Sequence, residues 1–268
     1  MHKPDTNSLI KDLEAEQADL DELVSDLDDS ADGGLLTATP AEGWDIRDQI
    51  SHLAFFDEKA ALAVTDPDAF KAETEGFLAD PDSFIGSDVA RGRAMAPAGV
   101  LDWWRQARQD EIAAFGSLDP GARIDWYGPP MSSASFISAR IMETWAHGQD
   151  VADAVGRERM PTERLRHICH VGVSARPWSY TVRGLEPPDV EVYVELNGPA
   201  GKTVGWGDSY AESSVKGTTL DFALVVTQRR NCVDTELVMT GEAARDWMRI
   251  AQAFAGPPGT GRKPGECQ

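Results

Sequence analysis

The spacing of hydrophobic residues changes once along this 268-residue chain, near Gly156. Before that point, apolar residues recur every three or four positions, which is the period of an amphipathic helix. Later, between residues 190 and 196, every second residue is aliphatic, as in a strand with one buried face. The change predicts a helical domain over residues 1–160 and an α+β domain over residues 161–268.

Start and stop signals divide the first domain into four main helices. Four helices joined by a long crossover form a bundle, and bundle cores commonly hold metals on inward-facing side chains. The predicted helices run from Thr6 or Asn7 to Gly33-Gly34, from Asp45 to about Thr65, from Pro97 to Asp119, and from Ser132 or Ser133 to Gly156.

A long connection separates the second and third predicted helices. Residues 66–96 are rich in Asp, Gly and Pro, and they predict only short helical turns, around Phe70 and Phe84. Connections of this length often cover functional sites.

An aromatic loop, residues 124–131, precedes the fourth helix. We expect Trp126, Tyr127 and Met131 to pack against the top of the bundle. The alternative is that these side chains line the mouth of a pocket. No strand is predicted between residues 97 and 155.

The second domain reads as alternating strands and helices. The turn at residues 197–201 joins the first strand to the second, and the tail at residues 256–261 is irregular. The predicted elements are strands at residues 190–197, 202–206 and 233–239, and helices at residues 220–230 and 242–255.

The charge of the chain restricts its partners. The net charge is −20, which disfavours nucleic acid and anionic membranes. Residues 1–32 carry 11 acidic and 2 basic side chains, which indicates a solvated helix face rather than an acidic interaction tail. No apolar run approaches the roughly 18 residues that span a bilayer, and the first residues lack an apolar signal core, so we expect a cytoplasmic protein. Composition leaves the oligomeric state open.

The cysteines do not suggest a disulfide framework, because Cys169, Cys232 and Cys267 are few and scattered. Cys169 lies between His167 and His170. This group could form a second metal site or a thiol nucleophile, but a cluster at the surface or at the domain junction is the favoured interpretation.

The candidate metal ligands are His52, Glu143 and His147. Glu143 and His147 are four residues apart and share one face of the fourth helix, whereas His52 lies in the second helix. Two imidazoles and one carboxylate can hold zinc, or another divalent metal such as iron or manganese, with one position open. The alternative is a buried Glu–His hydrogen bond beside an unrelated core histidine. Asp150, three residues after His147, is a candidate to orient its imidazole.

Two stretches carry a family resemblance. Residues 43–54, from Gly43-Trp44-Asp45 to His52-Leu53-Ala54, resemble the second-helix motif of the mycothiol-dependent maleylpyruvate isomerase family, within the DinB-like superfamily. Residues 142–150 resemble the last bundle helix of that family. Residues 222–230 and 247–256 also resemble the C-terminal part of an actinobacterial subgroup.

This resemblance implies a DinB-like four-helix bundle followed by a smaller α+β domain, with zinc held by His52, Glu143 and His147. In the isomerases, zinc is thought to position the mycothiol sulfur, and the thiolate adds to a substrate double bond and later leaves. An arginine of the C-terminal domain helps to bind the anionic substrate, and Arg229 is the matching residue here. The alternative for Arg229 is a surface position favoured by a helix dipole.

The leading functional hypothesis is a metal-dependent enzyme that uses mycothiol or another low-molecular-weight thiol. It would transfer the thiol to a small electrophilic substrate, or isomerise that substrate through a thiol adduct. The alternatives are a hydrolase that uses zinc-bound water, and a non-catalytic protein that binds a metal or a small ligand. The last possibility is included because the α+β domain resembles domains related to sterol carriers.

Overall fold

The computed structural model describes residues 5–79 and 86–266. The chain divides into two compact units, Met1–Glu158 and Arg159–Gln268. The first unit is helical and the second combines helices with a sheet, which confirms the predicted fold class. The helical turn predicted around Phe84 and the residue Cys267 lie outside the described residues. No helix in the described part of the chain has the length and apolar character needed to cross a membrane.

Four long helices form the bundle of the first unit. Helix α2 packs mainly against α5, and α1 packs mainly against α6. Among the described residues, two further helices, α3 and α4, lie in the connection between α2 and α5. The helices are α1 Thr6–Val24, α2 Ile46–Thr65, α3 Pro67–Ala79, α4 Ser87–Arg93, α5 Pro97–Gly116 and α6 Ser133–Ala154.

The predicted starting signals hold for the two helices that carry the candidate ligands. Asp45 caps α2 in a capping box, in which its side chain accepts from the Asp48 amide and the Asp48 side chain accepts from the Asp45 amide. The Ser132 side chain caps α6 by accepting a hydrogen bond from the Ser135 amide. These caps fix where each helix begins, and therefore which side chains face the bundle interior.

Helix α1 differs from its prediction at both ends. Asp5, rather than Thr6 or Asn7, occupies the N-cap, and the helix ends at Val24 instead of continuing to Gly33-Gly34. The Asp28 carboxylate accepts a hydrogen bond from the Ser30 amide, and this local turn competes with helical backbone bonds.

The connection after α2 is more helical than predicted. Pro67 begins α3, where its missing amide proton costs nothing, and the Asp66 side chain accepts from the Ala69 amide. Phe70 is fully buried and anchors α3 on the bundle. In this connection, Asp and Pro therefore mark the start of a helix as well as interruptions between helices.

A short hairpin corrects the expectation that residues 97–155 contain no strand. Strands β1 Arg123–Ile124 and β2 Met131–Ser132 form two antiparallel pairs before α6. Burial of Ile124 holds the hairpin against the bundle. In its loop, the Trp126 ring stacks on Phe70 with centroids 5.4 Å apart, and Tyr127 packs edge-on to Phe70. The aromatic loop thus packs on the bundle, as predicted.

The bundle core also contains a buried ion cluster that the sequence did not reveal. Arg140 donates to Asp57 over 2.6 Å and to Glu111 over 3.0 Å, and Gln17 donates to the second oxygen of Glu111. All four side chains are buried. Burial raises the pKa of Asp57, and burial together with the charge of Asp57 raises the pKa of Glu111 further. Arg140 opposes both increases.

The second unit is built on a four-stranded sheet with the order β4-β3-β5-β6. Strands β3 and β5 are parallel, whereas the two outer pairs are antiparallel. The elements of this unit are α7 Leu165–Ser174, α8 Arg176–Thr181, β3 Val192–Asn197, β4 Thr203–Trp206, β5 Ser213–Thr218, α9 Thr219–Val226, β6 Val238–Thr240 and α10 Glu242–Ile250.

Three elements of this unit depart from the prediction. Strand β5 is not among the predicted elements, because Val215 is its only aliphatic residue, although Val215 pairs in register with Val194 of β3. The strand predicted over residues 233–239 is instead a 3-10 turn, Cys232–Asp234, followed by the short β6. Helices α9 and α10 end earlier than expected, and the left-handed backbone of Gln228 (φ 61°) follows α9.

Candidate metal centre

Helices α2 and α6 bring the three candidate ligands together. One donor atom from each of His52, Glu143 and His147 lies within 4.8 Å of the other two. The Glu143 Oε2 and His147 Nε2 atoms are 3.5 Å apart, and the two imidazole centroids are 4.5 Å apart. The predicted residues therefore form one cluster, in which the two α6 side chains face His52 of α2.

A chain of hydrogen bonds fixes the tautomer of His147. Its Nδ1–H donates to Gln49 Oε1 over 2.5 Å. The Gln49 side-chain amide donates to Thr39 Oγ1 over 2.9 Å, and the Thr39 hydroxyl donates to the Trp44 carbonyl over 3.0 Å. Because Gln49 Oε1 can only accept, the proton of His147 resides on Nδ1. In the neutral imidazole, the lone pair of Nε2 then points toward Glu143, whereas a protonated His147 would donate to Glu143 through Nε2.

His52 is also held through its Nδ1 atom, in this case by a residue of α4. Its Nδ1–H donates to Asp88 Oδ2 over 2.6 Å, which leaves Nε2 free to bind a metal. The Ser51 hydroxyl donates to the backbone carbonyl of Asp88 over 2.5 Å. Helix α4 can approach α2 this closely because Gly92 has no side chain. A Cβ atom at this position would overlap the Ser51 side chain.

Ion pairs hold α4 on α2 at two further points. The Arg93 guanidinium binds the buried carboxylate of Asp48 through two hydrogen bonds, 3.0 and 2.6 Å long. Arg91 binds Glu58 with two hydrogen bonds, and its guanidinium lies over the Trp103 ring. The position of Asp88 beside His52 is thus fixed by contacts along the whole of α4.

Electrostatics keep the ligand carboxylate ionised. Without a metal, burial raises the pKa of Glu143, but a protonated His147 that donates to it through Nε2–H, with contributions from the charges of Arg140 and His52, lowers it to about 2. For Asp88, burial likewise raises the pKa, but the hydrogen bond and charge of His52 bring it below its ordinary value. Both carboxylates are therefore negative at neutral pH.

Aromatic rings flank the cluster. The Trp44 ring stacks near His147, with centroids 6.0 Å apart, and lies 5.4 Å from His52. The Phe56 ring lies 4.7 Å from His52. The side chains of the three candidate ligands are only 12–23% exposed. Such an apolar shell limits the access of water to a bound metal.

The donor set is suited to a divalent metal. Zinc bonds of about 2.0–2.2 Å place tetrahedral ligand atoms roughly 3.4 Å apart, which is close to the observed Glu143–His147 separation. Both Nδ1 atoms are used by Gln49 and Asp88, so two Nε2 lone pairs and one carboxylate converge. A cation between these groups would relieve the repulsion between the His147 lone pair and the Glu143 carboxylate.

The other candidate residues have different surroundings. Asp150 is buried on α6, and its orienting role stays a prediction, while the structure assigns Gln49 to Nδ1 of His147. Arg229 lies in the second unit, just beyond α9, where its guanidinium donates to the Thr227 carbonyl over 2.7 Å. The substrate-binding role of Arg229 also stays a prediction.

The residues around Cys169 do not form a group of three or more close metal-ligating side chains; within the described residues, the only such group is that of His52, Glu143 and His147. Cys169 and His167 are buried in α7, so these two residues do not form a cluster at the surface, and a position at the domain junction stays a prediction. The Cys169 thiol donates to the Thr219 carbonyl at the start of α9, on the side of α7 that packs against α9. Burial raises the pKa of the Cys169 thiol, which disfavours a nucleophilic role.

Comparisons with known proteins identify the family of the chain. The profile of the family described as "Mycothiol maleylpyruvate isomerase N-terminal domain" matches residues 13–152. Two uncharacterized proteins of Mycobacterium tuberculosis, MT0041 and Rv0036c, are each 44% identical over 260 residues, which cover 96% of this chain and 99% of each relative.

Two solved structures share the fold. They are a mycothiol-dependent maleylpyruvate isomerase and its histidine-to-alanine mutant, each with a TM-score of 0.57 and 14% identity, covering 89% of this chain and 94% of the solved chain. The likeness to these structures concerns the fold alone. The family match and the 44% identity show that this chain belongs to the mycothiol maleylpyruvate isomerase N-terminal domain family.

Proposed function

We propose that this protein is a metal-dependent isomerase or transferase that uses mycothiol or another low-molecular-weight thiol and acts on a small electrophilic substrate. The observation that carries the proposal is the convergence of His52, Glu143 and His147, with both Nδ1 atoms already engaged. Membership of the family and the shared fold support the use of a thiol and an isomerase reaction.

The metal would be held by Nε2 of His52, Nε2 of His147 and the carboxylate of Glu143. Zinc is the favoured ion, because imidazole nitrogen and carboxylate oxygen are both good zinc ligands. When bound, such a metal supplies a positive charge that lowers the pKa of a thiol and maintains it as a thiolate. Three protein ligands leave a position for this exchange.

The residues around the metal cluster suit a reaction with a soft, conjugated electrophile. Gln49 and Asp88 hold the two imidazoles, and the ionised Glu143 partly neutralises the metal charge. Trp44 and Phe56 exclude water from one side and offer apolar contacts to a conjugated carbon substrate. Thiolates attack such carbons better than oxygen nucleophiles do, which favours a thiol over water in the reaction.

A cobalt-substituted protein tests the use of a thiol. Titration with mycothiol should change the visible cobalt spectrum with a stoichiometry of about one, because the sulfur would occupy the open position. A mycothiol analogue with a hydroxyl in place of the thiol is the control and should leave the spectrum nearly unchanged. If no cellular thiol perturbs the metal, while simple esters turn over without a thiol, the hydrolase hypothesis replaces this proposal.

Arg229 is proposed to bind the carboxylate of an anionic substrate. A guanidinium can hold a carboxylate through two parallel hydrogen bonds, which a lysine ammonium cannot reproduce. Substitution Arg229→Lys should raise the KM for such a substrate roughly tenfold, with little change in thiol binding to the cobalt protein. The neighbouring Arg230→Lys is the control, and equal effects of the two changes would contradict a specific role for Arg229.

A further inference from the structure

The two candidate metal-binding histidines are held by partners of different charge. Nδ1 of His52 donates to the carboxylate of Asp88, whereas Nδ1 of His147 donates to the neutral amide of Gln49. We propose that Asp88 is a positioning residue through which the docking of α4 on α2 controls metal affinity. This inference rests on the metal site of the proposed function.

The position of Asp88 is set by the packing of α4. Its backbone carbonyl accepts from Ser51, next to His52 on α2, and its side chain is only 11% exposed. The absence of a side chain at Gly92 permits this close approach. The carboxylate is thereby presented to His52 by helix packing, and a shift of α4 would withdraw it.

The negative charge of Asp88 should strengthen metal binding by His52 in a way that the neutral amide of Gln49 cannot for His147. A carboxylate behind a ligand imidazole aligns the ring and increases its basicity toward the metal, whereas an amide mainly aligns it. The negative charges of Asp88 and Glu143 together also balance a divalent cation, since neither imidazole carries a charge in the metal-binding form. Metal affinity should therefore depend strongly on the charge of Asp88, although Asp88 acts through His52 and is not itself a ligand.

Coupling between two binding events is reciprocal. If a docked α4 strengthens metal binding through Asp88, a bound metal must strengthen the docking of α4 by the same factor. The Arg91–Glu58 ion pair also joins α4 to α2, but it does not contact either histidine. Arg91 therefore provides a control that removes an exposed contact of α4, which should change its docking little, without touching the site.

Zinc affinity, measured at fixed pH by competition with a chromophoric chelator, tests the inference. Asp88→Ala should weaken binding by about 10–100-fold, and Asp88→Asn, which keeps an acceptor but loses the charge, by about tenfold. Arg91→Ala should change affinity by less than about threefold, because exposed ion pairs contribute little. Zinc affinities of both Asp88 variants within about threefold of wild type would overturn the inference.

Hydrogen–deuterium exchange over residues 87–93 supplies a second readout. Zinc should slow exchange of α4 in the wild-type protein and in Arg91→Ala, and it should do so much less in Asp88→Ala. Exchange of α4 that is insensitive to zinc in the wild type would contradict the coupling. A wild-type protein that binds no zinc would instead refute the proposed metal site, so the two failures can be distinguished.

Discussion

His147→Ala should lose the bound metal. The wild-type protein should hold about one equivalent of a divalent metal per chain, and the variant should bind it roughly 100–1000-fold more weakly, because one of three protein ligands is removed. The alanine also leaves the Gln49 carbonyl without its donor. Metal analysis after dialysis against a weak chelator measures the effect, and activity should fall in proportion to occupancy.

His170→Ala is the matched control for this prediction. His170 is an exposed histidine of the second unit that accepts a hydrogen bond from Trp206, outside the metal cluster. Its replacement should leave the metal content unchanged. Full metal retention by His147→Ala would show that the convergence of the three side chains is an ordinary hydrogen-bonded core contact.

Arg140→Met should produce the largest loss of stability. It removes the guanidinium that compensates Asp57 and Glu111 and leaves two buried carboxyl groups without their cation. Breaking a buried ion pair on one side costs about 3–5 kcal/mol in the free energy of unfolding. Chemical denaturation at neutral pH measures this loss.

The loss should grow as the pH rises. The pKa values of Asp57 and Glu111 are raised by burial, so the folded chain binds protons more tightly than the unfolded chain at these groups. A raised carboxyl pKa makes stability fall as the pH increases from about 4 through the folded value. Without Arg140 both pKa values rise further, and the deficit of Arg140→Met should therefore be larger at pH 8 than at pH 5.

Arg105→Ala is the comparison for this effect. Arg105 pairs with the half-buried Asp21, which keeps Arg108 as a second partner. Its loss should cost less than about 1 kcal/mol and show little dependence on pH between 5 and 8. A deficit in Arg140→Met that is equally small, or independent of pH, would contradict the proposed role of the buried ion cluster.

The parts of the fold that follow local rules could be predicted from the sequence. The Asp45 and Ser132 caps and the alternating residues of β3 act through neighbours close in the chain. Strand β5 could not be found in this way, because its place is decided by pairing with β3, 21 residues earlier, as in the register Val194↔Val215. Helix α3 shows that Asp and Pro can start a helix as readily as they interrupt one.

The same distinction applies to the candidate site. Glu143 and His147 could be found from their spacing within one helix, and the family resemblance joined them to His52. Gln49 lies one helical turn before His52 on α2, so its position close to the metal cluster could have been inferred. Asp88 carries no such signal, because only the packing of α4 on α2, allowed by Gly92, brings it to His52.

A crystal structure of the zinc-loaded protein, with anomalous data at the zinc edge, tests the central claim most directly. We expect one strong anomalous peak about 2.0–2.2 Å from Nε2 of His52, Nε2 of His147 and the Glu143 carboxylate, with Nδ1 of each histidine still bound to Asp88 or Gln49. A peak elsewhere, coordination through Nδ1, or no peak in protein soaked with zinc would contradict the account.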